Sequence, residues 1–132
     1  MEFTVRTTED AYNLEASIRF IGEDLLVAIW GGDRPHIGAT AVAQPRPSLR
    51  DPERTSATAS VICLPGHKED ELAKKASEKI ASAINVNVVV AAGIHWDGLT
   101  LEGIAKVVRN GDILIDCIIS RIKALSRPSK IL

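Results

Sequence analysis

The sequence predicts an α+β fold: residues 1–132 form a single small domain, a mostly antiparallel sheet with two to three helices packed on it. Order along the chain is the first reason. From Phe3 to Cys63 the residues read mainly as strands, and from Lys68 onward mainly as helices with one strong strand between them. Segregated runs of this kind mark α+β chains. Size is the second. A chain of 132 residues, 45% apolar and 25% charged, has the length and composition of one globular domain. Such a chain buries roughly two-thirds of its unfolded surface, so its core requires neither disulfide nor metal.

Taken in order, Tyr12 to Ile21 shows interrupted alternation and Leu25 to Trp30 is an apolar run. Gly22-Glu23-Asp24 between them has hairpin-turn chemistry, which pairs the two strands antiparallel. Gly38 to Gln44 and Thr55 to Leu64 are small and β-branched in character, and three prolines exclude the joining segment, Gln44 to Arg54, from a central strand. Lys68 to Asn85 sets Leu72, Ala76, Ile80, Ala83 and Ile84 on one helical stripe. Glu69, Asp70 and Glu71 suit the first turn of that helix, and Asn85 suits its left-handed cap. Val86 to Ala92 reads as a central strand covered on both faces. Thr100 is an N-cap, with Leu99 and Ile104 at staple positions. Gly111 and Asp112 predict the end of this second helix. Ile113 to Leu125 fits a strand by its branched residues and a helix by its length and spacing; we take it as helix.

Composition removes several function classes. Sixteen Lys and Arg against seventeen Asp and Glu leave a net charge of −1, and 4% aromatic residues cannot build a stacking platform, so nucleic acid is not an expected partner. Cys63 and Cys117 sit singly in apolar stretches, where a thiol behaves as a small buried hydrophobe. With no CxxC pair, no leader-like opening and no apolar run of about 18 residues, the expectation is a cytoplasmic protein outside the membrane. A small sheet with an apolar helical layer also tends to leave an apolar patch, from which we expect a homodimer.

Three loops could carry chemistry. Gly31-Gly32-Asp33-Arg34-Pro35-His36-Ile37-Gly38 offers open backbone amides and a cation, which suits phosphate, though an ordinary glycine-rich hairpin reads the same way. Leu64-Pro65-Gly66-His67-Lys68-Glu69-Asp70 opens the best helix, whose N-terminal amides attract anions; a plain strand-to-helix turn is the alternative. Ala92-Gly93-Ile94-His95-Trp96-Asp97-Gly98 follows the central strand, with His95 and Asp97 on one side and Trp96 suited to an interface. All three histidines of the chain lie in these loops, beside glycine. A metal bound by them is conceivable but not expected, since no HExxH spacing fixes two ligands. No complete nucleophilic constellation is present either, so the chain is not expected to be an enzyme. The arginines Arg46, Arg50 and Arg54 read as a solvated loop.

These three loop sequences together resemble the prenylated flavin chaperone LpdD-like family, over roughly Leu25 to Ile119. The resemblance implies a fold like that of the proteasome assembly chaperones, and a small non-enzymatic protein that accompanies UbiD-type decarboxylases. It implies prenylated FMN, or FMN, as bound cargo, with Pro35, His36, Gly66, His67, Lys68 and His95 facing it. A protein assembly factor without a small-molecule ligand is the competing class, and a metal-dependent hydrolase a weaker one.

Overall fold

In the computed structural model, which describes residues 1–64 and 69–126, six strands and two helices form two layers. Strand β1 (Glu2–Arg6) pairs antiparallel with β2 (Leu14–Ile21), and β2 pairs antiparallel with β3 (Asp24–Gly32). Ile21 faces Asp24 across the β2–β3 turn, leaving Gly22 and Glu23 as the loop. Gly22 sits at φ 61°, the first-position conformation that a two-residue hairpin reserves for glycine. Next, β4 (Ala39–Pro47) and β5 (Thr55–Cys63) form a second hairpin, and helix α1 (Asp70–Ile84) returns the chain to β6 (Val88–His95). Strand β6 enters between β3 and β4, parallel to the first and antiparallel to the second, so the sheet order is β1-β2-β3-β6-β4-β5. Helix α2 (Leu101–Ser126) closes the described chain.

Both helices pack on one face. Ile18, Val27, Val90 and Ala41 lie side by side in register on that face, all fully buried. Strand β4 contributes only alanines there, Ala39, Ala41 and Ala43, and α1 meets them with Ala73, Ala76, Ser77 and Ala81. Small residues on both sides let the helix backbone approach the sheet closely. The predicted stripe is therefore rotated: Ala76 and Ile80 are buried as expected, Ala83 is exposed, and Ala73 and Ala81 fill the contact instead. Asn85 caps α1 at φ 62°, and its N–H donates to Ala81 O at 2.8 Å.

Four expectations need correction. Gly111 and Asp112 do not end a helix: α2 runs through them for 26 residues. A Cβ on Gly111 would stand 3.2 Å from Leu72 Cδ1, so this glycine is the crossing point of α1 and α2. The strand expected to end at Gln44 runs on to Pro47, into the proline segment. Beyond Ala43, however, β4 has lost β6 and pairs only with β5, which leaves a side where a missing N–H costs nothing. Central β6 is covered on one face only, because both helices lie on the same side; Val89 and Ala91 on the other face are half-exposed. Finally, Cys63 and Cys117 are exposed, the first at the end of edge strand β5 and the second on α2, along the groove beside β1. The apolar neighbours of Cys117 misled because adjacent helical residues point about 100° apart, and those of Cys63 because an edge strand has no neighbour on one side.

The expected helix over Ile113–Leu125 is present, its buried side formed by Leu114, Ile115, Ile118 and Ile122. At its start Thr100 Oγ1 accepts from Gly103 N–H at 3.0 Å, the N-cap contact. No helix of the described residues is long and apolar enough to cross a membrane.

Candidate functional site

The site is assembled where β3 and β6 end beside the start of α1. His36 leaves the β3–β4 loop with Nε2 2.7 Å from Glu69 Oε1 and Nδ1 2.9 Å from Arg34 O. This pair is largely buried, the His36 and Glu69 side chains being 23% and 10% exposed. The same carboxylate oxygen accepts Ile94 N–H at 3.2 Å, so one glutamate ties the His36 loop to β6. Gly38 permits it: a Cβ there would overlap the Glu69 carboxylate. Glu69 stands at the N-cap position of α1 without capping the helix through its side chain.

His95, at the end of β6, has Nε2 2.9 Å from Asp97 Oδ1, as the one-side placement predicts. Arg34 approaches Asp97 at 3.6 Å, and Asp97 N–H donates to Asp33 Oδ2 at 3.1 Å. The Asp33 N–H in turn donates to His95 O at 2.7 Å. Here Gly32, at φ 94°, lies so close to the His95 carbonyl that any side chain would collide with it. The first and third loops are thereby locked together.

His36 and His95 line one cleft of about 470 Å³. Its polar rim adds Glu69, Glu71 and Lys75, the last held by Asp112 at 2.9 Å. The opposite wall is apolar, made of Leu72 from α1, Ile94 from β6, and Leu99, Ile104, Val107 and Val108 around the start of α2. Both staple residues thus serve this wall. The volume and the mixture of an apolar wall with few polar groups are those of a small-molecule site. A second groove of about 780 Å³ between β1 and the C-terminal half of α2 shares no residue with the cleft. Although larger it is shallow, and its Arg121 is already spent on the Phe3 ring, 5.0 Å from the centroid.

Of the residues expected at the site, His36 and His95 converge. Pro35 is exposed and not part of the cleft lining. Gly66, His67 and Lys68 lie outside the described residues. Trp96 is half-buried and packs edge-on against Tyr12, centroids 5.2 Å apart. Arg46 bonds Thr58 Oγ1 at 2.6 Å, at the far end of β4 from the cleft. Among the described residues no group of three or more His, Cys, Asp or Glu is placed to hold a metal. Sequence reasoning missed Glu69 as a site residue, assigning it only to the helix dipole. The apolar wall was missed as well, because Leu72 and Ile104 read as core and staple.

The fold and the cleft define a two-layer α+β domain with a partly buried histidine–carboxylate pair facing an apolar wall. Residues 8–123 match the family model described as the prenylated flavin chaperone LpdD-like domain, and the chain belongs to that family. It is similar to Protein LpdD of Lactiplantibacillus plantarum, 30% identical over 124 residues that cover 89% of this chain and 84% of that protein. In fold it is similar to a chain from the crystal structure of a chaperone complex for yeast 20S proteasome assembly. The TM-score is 0.55 at 12% identity, covering 93% of this chain and 96% of that one.

Proposed function

We propose that this chain, residues 1–132 acting as one LpdD-like domain, carries prenylated FMN, and FMN more weakly, in the His36–His95 cleft. It delivers that cargo to a UbiD-type decarboxylase in the cytoplasm and works as a homodimer without catalysing decarboxylation itself. The observation that carries the reading is the cleft: an apolar wall for a flavin ring faces a rim of imidazoles and carboxylates, in a chain of a flavin chaperone family. The amides at the start of α1, which Glu69 does not cap, and the Lys68 ammonium are assigned to the phosphate. A carrier must release its cargo, so the affinity is expected near micromolar, about −8 kcal/mol, far from permanent complexes.

Fluorescence titration with prenylated FMN and FMN tests this, with circular dichroism as the folding control. Losing one charge-assisted phosphate contact costs about 1.5–3 kcal/mol, so Lys68→Ala weakens binding at least tenfold; His36→Ala and His95→Ala weaken it too. Four superimposable curves from folded proteins move the site elsewhere. Absence of binding by the unaltered chain removes the flavin reading and leaves the assembly factor.

A further inference from the structure

Strand β5 is an edge of the sheet, and among the described residues no strand lies beyond it. Leu64 N–H donates to Gly38 O and Arg54 O accepts Ser48 N–H, so the even-numbered residues of β5 turn their backbone groups toward β4. By alternation, Thr55, Ala57, Ala59 and Val61 turn theirs to the free side. Exposed edges are usually guarded by charge, proline or a bulge. The opposite edge, β1, carries Glu2 and Arg6, whereas Thr55 to Val61 hold no charge and no proline and keep an unbroken register with β4. The run Thr55-Ser56-Ala57-Thr58-Ala59-Ser60-Val61 is also a palindrome about Thr58, with β-branched residues of like size at its two ends.

We propose that β5 of a second copy pairs antiparallel with this edge, about a twofold axis normal to the sheet through Thr58, so that the sheet continues from one copy into the other. The pairing uses no residue of the cleft and is independent of the cargo. Under this operation Thr55 faces Val61 of the second copy and Ala57 faces Ala59. All four open residues are thereby matched, each facing pair exchanging two backbone bonds. On the outer face Ser56 meets Ser60 and Thr58 meets Thr58, and hydroxyls set opposite one another favour antiparallel strands. An axis through Ala57 or Ala59 would lose this like-for-like matching and set one of the four open residues opposite a residue outside the run. The helix layer agrees. Leu72 and Lys75 of α1 meet Gly111 and Asp112 of α2, and Ala73, Ala76, Ser77, Ile80 and Ala81 face the sheet. Lys74 and Glu78, paired at 3.0 Å, are left on the third side, above β5, because α1 packs on β4, β5 and β6 while α2 packs on β1 and β2. An antiparallel copy presents cation and carboxylate in the reverse order, so the two flanks are complementary in charge. Strand edge and helix flank make a strip about 24 Å by about 15 Å, on the order of 350 Å² per partner, against roughly 800 Å² in a stable interface. The pairing is therefore weak and populated at high micromolar concentration.

Disulfide trapping reads this register in the full chain with Cys63 and Cys117 replaced by serine, circular dichroism confirming each fold. Residues opposite one another in the closer, non-hydrogen-bonded pairs have Cα atoms about 4.5 Å apart, within disulfide reach. Thr58→Cys, on the axis, is expected to oxidise to a species of twice the 14.2 kDa chain mass. Ser56→Cys and Ser60→Cys each sit about 13 Å from the same residue of the second copy, so each alone stays single-chain while their equimolar mixture links. Ala57→Pro removes an N–H that β4 does not use, so adding it to Thr58→Cys slows trapping at least tenfold while the fold persists. Thr58→Cys trapped no faster than Ser56→Cys or Ser60→Cys alone would reject the axis, as would a mixture no faster than its components. Unchanged trapping in folded Ala57→Pro would show that the copies meet without this edge. Should that variant not fold, the pattern of the three cysteine positions decides by itself.

Discussion

Glu69 accepts from Ile94 N–H and pairs with His36 in the space that Gly38 leaves open, so one carboxylate positions two of the three elements at the cleft. Glu69→Ala strands a backbone donor and an imidazole, which costs about 1–3 kcal/mol in urea denaturation. Glu69→Gln keeps the Ile94 bond and loses less. Gly38→Ala is expected to fold, since it displaces only the end of a flexible side chain, yet to weaken flavin binding by releasing His36. A gap between these two readouts, stability and binding, separates positioning from scaffolding. Asn110 plays the comparable structural part elsewhere. It is 1% exposed, and its Nδ2 donates to Ala11 O and Tyr12 O, both at 2.8 Å, holding Tyr12 at φ 58°. Asn110→Ala leaves those carbonyls with one partner fewer and is expected to cost about 1–3 kcal/mol, read by the same denaturation.

At the scale of elements, helix α2 shows how a local signal is overruled. Glycine inside a helix costs about 1 kcal/mol relative to alanine, and Gly111 followed by Asp112 looks like a stop. Packing decides otherwise: α1 crosses there, Leu72 approaches Gly111, and Asp112 is claimed by Lys75 at 2.9 Å. Two substitutions weigh these terms. Gly111→Ala gains about 1 kcal/mol of helix propensity against a 3.2 Å contact with half-buried Leu72, so stability should stay within about 1 kcal/mol of the unaltered chain. Gly111→Leu overpacks the crossing and should cost about 1–3 kcal/mol, with a matching fall in thermal midpoint. The cleft would feel it, because Leu72 and the start of α2 are its wall.

For the whole molecule, the two layers leave the outer sheet face uncovered and set the cleft where β3 and β6 end beside α1, so the face and the cleft are separate surfaces. The flavin reading also predicts what the chain does not do. Supplied with prenylated FMN and an aromatic acid, the isolated chain is expected to release no carbon dioxide. Added to cofactor-depleted decarboxylase, it is expected to raise the active fraction. Turnover by the isolated chain, followed as carbon dioxide release, would overturn the carrier reading, because that chemistry belongs to cofactor and enzyme together.

The residues alone determined the α+β class, the β2–β3 hairpin at Gly22, helix α1 with its Asn85 cap, the Thr100 cap and the central place of β6. Each of these rests on a local cause: a required φ, a side-chain oxygen at an N-cap, or a period of 3.6 residues. They also marked His36 and His95, which the fold brings to one cleft. Tertiary structure decided the rest. Which faces of β6 are covered, which side of α1 is buried, whether Gly111 ends a helix and whether the cysteines are hidden all depend on which surfaces meet. Glu69 was illegible for the same reason: its partners, His36, Gly38 and Ile94, lie at least 25 residues away along the chain and meet it only when β6 inserts between β3 and β4. Hydrophobic pattern reports that a residue faces a neighbour, and only the packed sheet determines which neighbour it is.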